Sequence, residues 1–354
     1  MTALKDILLR QIRAQGPISI AEYMTQCLLH PRHGYYTTRD PLGVQGDFTT
    51  APEISQMFGE MLGLLVAQVW LDQGRPAPFT LAELGPGRGT LMSDILRATL
   101  QVDGFHQALR LHLVEASPVL RDIQTTRLRD HDPQFHDTAD TLPDQPLFVI
   151  ANEFFDALPI RQFLRTDTGW AERMVGSDGD ALCLGLSPET HLQQLAHRLE
   201  DTQTGQMVEL CPAIAPILAA LRARILAYGG LALIIDYGDW RSRGDTLQAL
   251  REQRYDDPLA NPGAADLSAH VDFEALALAA APLAATPMTA QGVFLERLGI
   301  TARAKTLANR LTGNALREHV AAHRRLTHPQ EMGHLFKSLA LYPPTAPAPP
   351  GFDA

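Results

Sequence analysis

LAELGPGRGT, residues 81–90, is the stretch on which the fold turns. An acidic residue and three glycines fall on alternate positions in it: Glu83, Gly85, Gly87 and Gly89. Apolar residues lead into the motif as a strand would, and residues 91–100 follow with helical spacing. The whole therefore reads as strand, tight loop and helix start. A loop that turns from strand to helix needs positive φ values, which glycine reaches without a Cβ penalty while letting a ligand lie against the backbone. Such a loop suits a nucleotide-type ligand.

The spacing separates two ligand classes. Dinucleotide-binding loops read G-x-G-x-x-G, and the helix that follows holds a pyrophosphate at its N-terminus. Here the pattern is E-x-G-x-G-x-G, with Pro86 inside the loop. It resembles the first motif of the class I S-adenosylmethionine-dependent methyltransferases. That resemblance implies S-adenosyl-L-methionine as cofactor, with its sulfonium and amino group near Glu83.

Working outward, strands near 80–84, 111–116 and 147–151 alternate with helices near 91–100 and 118–129, which predicts an α/β fold with a doubly wound, mostly parallel sheet. Residues 1–75 read as a helical N-terminal extension interrupted by a glycine-rich segment, and 56–73 carry the apolar spacing of a core helix. After residue 160 the alternation lapses into period-two patches split by Asp-Thr-Gly and Ser-Asp-Gly, a hairpin-like insertion placed at about 161–228. Within it a helix is expected near 207–227. An apolar strand at 230–238, a long surface loop at 241–267, helices near 270–281 and 300–325 and a strand near 335–342 complete a domain over 76–342. The Pro-rich tail 343–354 is expected to be disordered or extended.

Composition excludes several classes. With 45% hydrophobic and 20% charged residues in 354, the chain has the makings of a full core. No run approaches the roughly 18–20 apolar residues that cross a bilayer, so membrane insertion is not expected. A net charge of −10 without a basic stripe argues against nucleic-acid binding. Cys27, Cys183 and Cys211 show no paired spacing, and His30 and His33 lack a third ligand, so neither a disulfide framework nor a metal site is indicated. The first twenty residues form an amphipathic pattern without a secretory apolar core, and no transit sequence precedes Leu4. A bacterial cytoplasmic protein is the expectation from them. The oligomeric state, a homodimer included, stays open.

Ligands of an open parallel sheet bind beyond the carboxyl ends of its strands. Besides the glycine loop, Glu115, followed by Ala116, ends the second strand, where a carboxylate can accept both ribose hydroxyls of an adenosine. Phe135, His136 and Asp137 close a third segment and are candidates to flank an adenine. Asn152, Glu153 and Asp156 follow the strand at 147–151; were this segment a helical turn, Glu153 and Asp156 would share one face and could hold a cationic acceptor. Thr50 to Glu53 reads as a helix start.

GDFTTAPEISQMFGE (46–60), ELGPGRGTL (83–91), HLVEASPVLR (112–121), ANEFFDALPIRQF (151–163), IIDYG (234–238), PGAADLSAHVDF (262–273), QGVFLERLGI (291–300) and MGHLFKSLA (332–340) occur in this order. Together they resemble the MidA-like methyltransferases, the family of the mitochondrial complex I assembly-factor arginine methyltransferase and its bacterial relatives. The resemblance covers most of the chain. It implies a class I, Rossmann-like methyltransferase fold and methylation of an arginine in the quinone-site subunit of the NADH dehydrogenase complex. It further implies that Glu83, Gly85, Pro86, Gly87, Gly89, Glu115, Ala116 and Asp137 contact the cofactor, that Gly46 to Glu53, with Asp47 and Glu53, cover it, and that Asn152, Glu153 and Asp156 line the acceptor side. Two rivals remain at this point: a small-molecule O- or N-methyltransferase, and a cofactor-binding assembly chaperone with little turnover.

Overall fold

The strands of the central sheet are apolar on both faces, as parallel strands buried between helices must be. In the computed structural model, which describes residues 2–38 and 49–353, the chain divides into two compact units. The larger takes in 42–155, 215–240 and 273–354; the smaller takes in 1–41, 156–214 and 241–272.

The larger unit is built on strands β1 (Phe79–Leu84), β2 (Leu109–Val114), β3 (Gln134–His136), β4 (Leu147–Asn152), β5 (Gly230–Asp239), β6 (Ala284–Ala285), β7 (Thr289–Ala290) and β8 (Phe336–Tyr342). They run in the order β6-β8-β5-β4-β1-β2-β3, with β7 also on β8. The run from β5 to β3 is parallel, and β8 joins β5 antiparallel. Helices α1 (Gln56–Asp72), α2 (Thr90–Ala98), α3 (Pro118–Leu128), α4 (Ile214–Tyr228), α5 (Phe273–Ala280), α6 (Gln291–Leu298), α7 (Ile300–Ala308) and α8 (Gly313–Thr327) connect and flank them. Because side chains alternate along a strand, Phe79, Leu81, Leu111, Leu113, Phe148, Ile150, Leu231 and Leu233 all enter one core with Phe58, Leu62, Leu65 and Trp70 of α1 and Leu91 and Ile95 of α2. Ala82, Leu84, Val149, Ala151, Ala232 and Ile234, the intervening positions, are buried as well.

This order positions the site. From β1 the chain moves out through β2 and β3 and then returns to β4 on the other side of β1. The order reverses there, and the crevice at such a switch point is where open α/β sheets bind ligands. Leu84 is in register with Ala151, so the glycine loop after β1 and Asn152–Glu153 at the end of β4 leave the sheet side by side.

In the smaller unit, Ile18–Ser19, Trp170–Asp178, Arg161–Arg165, Met207–Leu210 and Ala181–Leu186 form an antiparallel sheet. Leu4, Leu8, Ile12, Tyr23, Met24 and Cys27 from the helices Ala3–Gln15 and Ile20–Leu29 pack with Ile160, Val175 and Leu267.

Three local expectations need correction. Residues 207–227 are not one helix: Met207–Leu210 is a strand held by Arg161–Leu164, and the helix begins at Ile214. The expected loop at 241–267 contains the strands Gln248–Arg251 and Arg254–Asp256, with Asp266–Ser268 adding to the first. Nor is the tail loose, since Phe352 lies 4.9 Å from Phe294 and Asp353 pairs with Arg297 at 2.6 Å.

Candidate active site

Gly85, Gly87 and Gly89 have φ of 62°, 53° and 73°, the left-handed region that the spacing demanded. At Gly85 a second constraint applies, because a Cβ there would fall 2.8 Å from Cδ2 of Phe154. The loop closes on itself through the Gly89 amide, which donates to the carbonyl of buried Pro86 at 2.7 Å. Gln124 of α3 ties it to the next strand: its Nε2 donates to the Gly87 carbonyl at 2.7 Å and to Oε2 of Glu115 at 3.2 Å.

Glu83 is buried in β1, and its Oε2 has no hydrogen-bond partner among the described residues. Burial, and then the charge of Glu115, push its carboxyl up to about 8. Buried polar atoms in folded proteins are nearly always bonded. An orphaned acceptor beside a glycine cradle therefore fits a ligand that brings a donor or a positive charge, as S-adenosyl-L-methionine would. Glu115 is buried too and accepts the Ser117 amide at 2.7 Å through Oε1. Burial raises its pKa, against the opposing bonds from Ser117 and Gln124. Each of its oxygens keeps a second lone pair.

The third segment is engaged differently. Asp137 is exposed and paired with Arg121 at 2.5 Å, and the Arg121 guanidinium also sits 5.6 Å from the centre of the Phe135 ring. His136 contacts His112 at 2.9 Å and Thr141 at 2.8 Å, and Ala116 is exposed.

On the other side of the switch point, β4 ends at Asn152. Glu153 follows with φ of 52°, so no helical turn starts there and the expected shared face with Asp156 does not form. The Glu153 carboxylate is held by two donors: the Ala51 amide at 2.9 Å and Asn152 Nδ2 at 3.1 Å, both on Oε1. Burial pushes it up to about 7, opposed by those two bonds and by the charge of Arg325. Asn152 Oδ1 is buried without a hydrogen-bond partner among the described residues. Asp156 belongs to the smaller unit, where its carbonyl accepts the Ala269 amide at 2.9 Å. Its charge, with that of Asp266 and after burial itself, helps to raise the phenol of Tyr36. Asp47, with Gly46, lies outside the described residues.

Sequence reasoning passed over several residues that shape this crevice. Asp236, fully buried in β5, accepts the amides of Phe154 at 3.2 Å and Phe155 at 2.9 Å through Oδ2. An aspartate closing an apolar strand in GLALIIDYG was the available signal. Thr90, the first residue of α2, donates its hydroxyl to Oε1 of Glu53 at 2.5 Å. Gln124 has no sequence signature, since a glutamine in an ordinary helix draws no attention.

Comparison with known proteins agrees with this geometry. Residues 61–290 match the family of S-adenosyl-L-methionine-dependent methyltransferases. The protein arginine methyltransferases NDUFAF7, mitochondrial, of Bos taurus and of Homo sapiens are each 36% identical over 372 residues, spanning 97% of this chain and 84% of theirs. A Burkholderia thailandensis protein whose crystal structure holds S-adenosyl-homocysteine is 28% identical, covers 99% of this chain and 93% of its own, and superposes with a TM-score of 0.83. These relatives overturn the bacterial cytoplasmic placement read from the N-terminal sequence, because those named as arginine methyltransferases are mitochondrial. Among the described residues no helix is long and apolar enough to cross a membrane. With the sheet order, the glycine cradle and the matched sequence in agreement, the chain belongs to the family of S-adenosyl-L-methionine-dependent methyltransferases.

Proposed function

We propose that this methyltransferase modifies an arginine side chain of a protein, with the quinone-site subunit of the NADH dehydrogenase complex as the favoured acceptor. The observation that carries the reading is the pair of buried Asn152 and half-buried Glu153 at the end of β4, beside the glycine loop, with Asn152 Oδ1 unbonded among the described residues. The naming of the mitochondrial relatives as protein arginine methyltransferases supports it.

S-adenosyl-L-methionine, when bound, supplies an electrophilic methyl on a sulfonium. Glu83 and the backbone of Gly85 to Gly89, with Pro86, would hold its amino-acid end, and Glu115 its ribose hydroxyls. Ala116, Asp137, Glu53 and Asp47 complete the set proposed for the cofactor side. The acceptor needs the most help from the protein, because a guanidinium is charged up to a pKa of about 13.8 and is a poor nucleophile until oriented. Glu153 would accept from two of its N–H groups and Asn152 Oδ1 from another, which fixes the planar fork and aims one nitrogen at the methyl carbon.

Alignment rather than acid–base strength then supplies most of the acceleration, with near-attack distances of about 3–3.5 Å. The arriving guanidinium would draw the Glu153 pKa downward, so the carboxylate is ionised when it is needed. Incubation with methyl-labelled cofactor and the isolated subunit, followed by acid hydrolysis, should release labelled methylarginine. A subunit that stays unlabelled under these conditions would reject it as the acceptor.

A further inference from the structure

Three segments of the larger unit meet at one hydroxyl. Thr90 Oγ1 donates to Oε1 of Glu53, which lies in the turn Ala51–Ile54, and it accepts a hydrogen bond from Nη1 of Arg127 near the end of α3. The residue that precedes α2 in the capping position is Gly89, which has no side chain to cap the helix, so Thr90 and the Glu53 carboxylate stand where a capping group would. Two residues before Glu53 in the same turn, Ala51 donates its amide to Glu153. Glu53 and Ala51 are held in one helical turn by Thr50, whose carbonyl accepts the Glu53 and Ile54 amides at 2.9 and 3.2 Å.

From this juxtaposition we infer that Thr90 and Arg127 are positioning residues for Glu153: they fix the turn Ala51–Ile54 at the start of α2, and the turn in its place delivers the Ala51 amide to the Glu153 carboxylate. Neither side chain acts on the acceptor. Through them the helix that follows the glycine loop and the carboxylate at the end of β4 are set by one short splint, so the donor-side loop and the acceptor-side carboxylate keep a fixed relation. The inference rests on the acceptor role of Glu153 proposed above for its significance, although the linkage itself does not depend on it.

The linkage has a readout separate from turnover. The Ala51 bond stabilises the charged form of Glu153, as do Asn152 from the neighbouring backbone position and the charge of Arg325 from α8. Loosening the turn removes the first of these and leaves the other two. The experiment is a pH titration of the Glu153 carboxyl carbon by NMR on the full chain carrying 13C-glutamate, with the resonance assigned by its loss in Glu153→Gln. In Thr90→Val the midpoint should rise by roughly half a unit or more, the size expected when one hydrogen bond to a charged group is lost. Thr90→Ser, which keeps the hydroxyl, should restore it, and Arg127→Met should move it in the same direction as Thr90→Val. Calorimetric binding of S-adenosyl-homocysteine confirms that each variant is folded. A midpoint unmoved in both Thr90→Val and Arg127→Met would overturn the inference, and so would a Thr90→Ser midpoint that stays with Thr90→Val. Loss of the proposed acceptor role would show instead as full turnover by Glu153→Gln, whatever the titration gives.

Discussion

The carboxylate of Asp236 accepts the backbone amide of Phe155 at 2.9 Å, and through the same oxygen that of Phe154 at 3.2 Å. A side chain of β5 thereby shapes the loop that follows β4. Two amides, that of buried Phe155 and that of half-buried Phe154, are satisfied by one carboxylate, and such bonds to charged groups contribute about 1.5–3 kcal/mol each. Replacing Asp236 by Ala should lower the melting temperature and reduce methyl transfer by more than tenfold. Asp236→Asn should recover part of the stability, since an amide oxygen still accepts. Calorimetric melting with parallel rate measurements checks both, and a wild-type rate in Asp236→Ala would show that the loop holds its shape unaided.

Gly85 answers to conformation and to space at once. With φ at 62° and Phe154 at 2.8 Å from a prospective Cβ, Gly85→Ala meets both penalties. The left-handed strain alone costs about 1–2 kcal/mol. We expect weaker S-adenosyl-homocysteine binding by at least tenfold and a displaced Phe154. Titration calorimetry would detect it, and unchanged affinity would mean that the loop relaxes without cost.

Glu83 makes stability depend on pH. Its carboxyl is raised from 4.5 to about 8 by burial and by Glu115, so between those values the folded protein keeps a proton that the unfolded chain gives up. Stability of the cofactor-free protein should therefore fall as pH rises from 5 to 8, by at most about 1.4 kcal/mol per pH unit for this group. Glu153, raised to about 7, adds the same trend over a shorter range. Glu83→Gln should flatten the curve; an identical slope in that variant would remove Glu83 as its source.

Glu115 is expected to hold the ribose through lone pairs that Ser117 and Gln124 leave open. Loss of a charged hydrogen-bond acceptor costs about 1.5–3 kcal/mol, or roughly ten- to a hundredfold in affinity. Glu115→Gln should show that loss for S-adenosyl-homocysteine and a smaller one for a 2′,3′-dideoxy analogue. Equal losses for both ligands would place the ribose elsewhere.

Much of the parallel sheet was legible in the sequence because each β-α unit writes its own local pattern: LAEL before the glycines, LHLV before Glu115 and LFVIA before Asn152 all stand as strands. The glycine loop was legible for the same reason, its φ values being demanded by residue type. What escaped was set by contacts distant in the chain. Met207–Leu210 carries a pattern that continues smoothly into the helix after it, and only pairing with Arg161–Leu164 makes it a strand. The pairing of Ile18 with Val175 leaves no local mark on either segment. Within the site, Glu115 and Glu153 could be picked out as acids at strand ends. The positive φ of Glu153 could not, since glutamate has no preference for that region and the bonds around it, from Ala51 to Glu153 and from Phe154 and Phe155 to Asp236, join residues distant in the chain.

The most direct test of protein-arginine methylation through Glu153 compares wild type with Glu153→Gln on two axes: S-adenosyl-homocysteine affinity by calorimetry, and transfer of labelled methyl to arginine in the isolated acceptor subunit by mass spectrometry. The expected result is affinity within about threefold of wild type together with at least a hundredfold loss of transfer, about 2.7 kcal/mol of transition-state stabilisation. Methylarginine formed by Glu153→Gln at the wild-type rate would contradict the account.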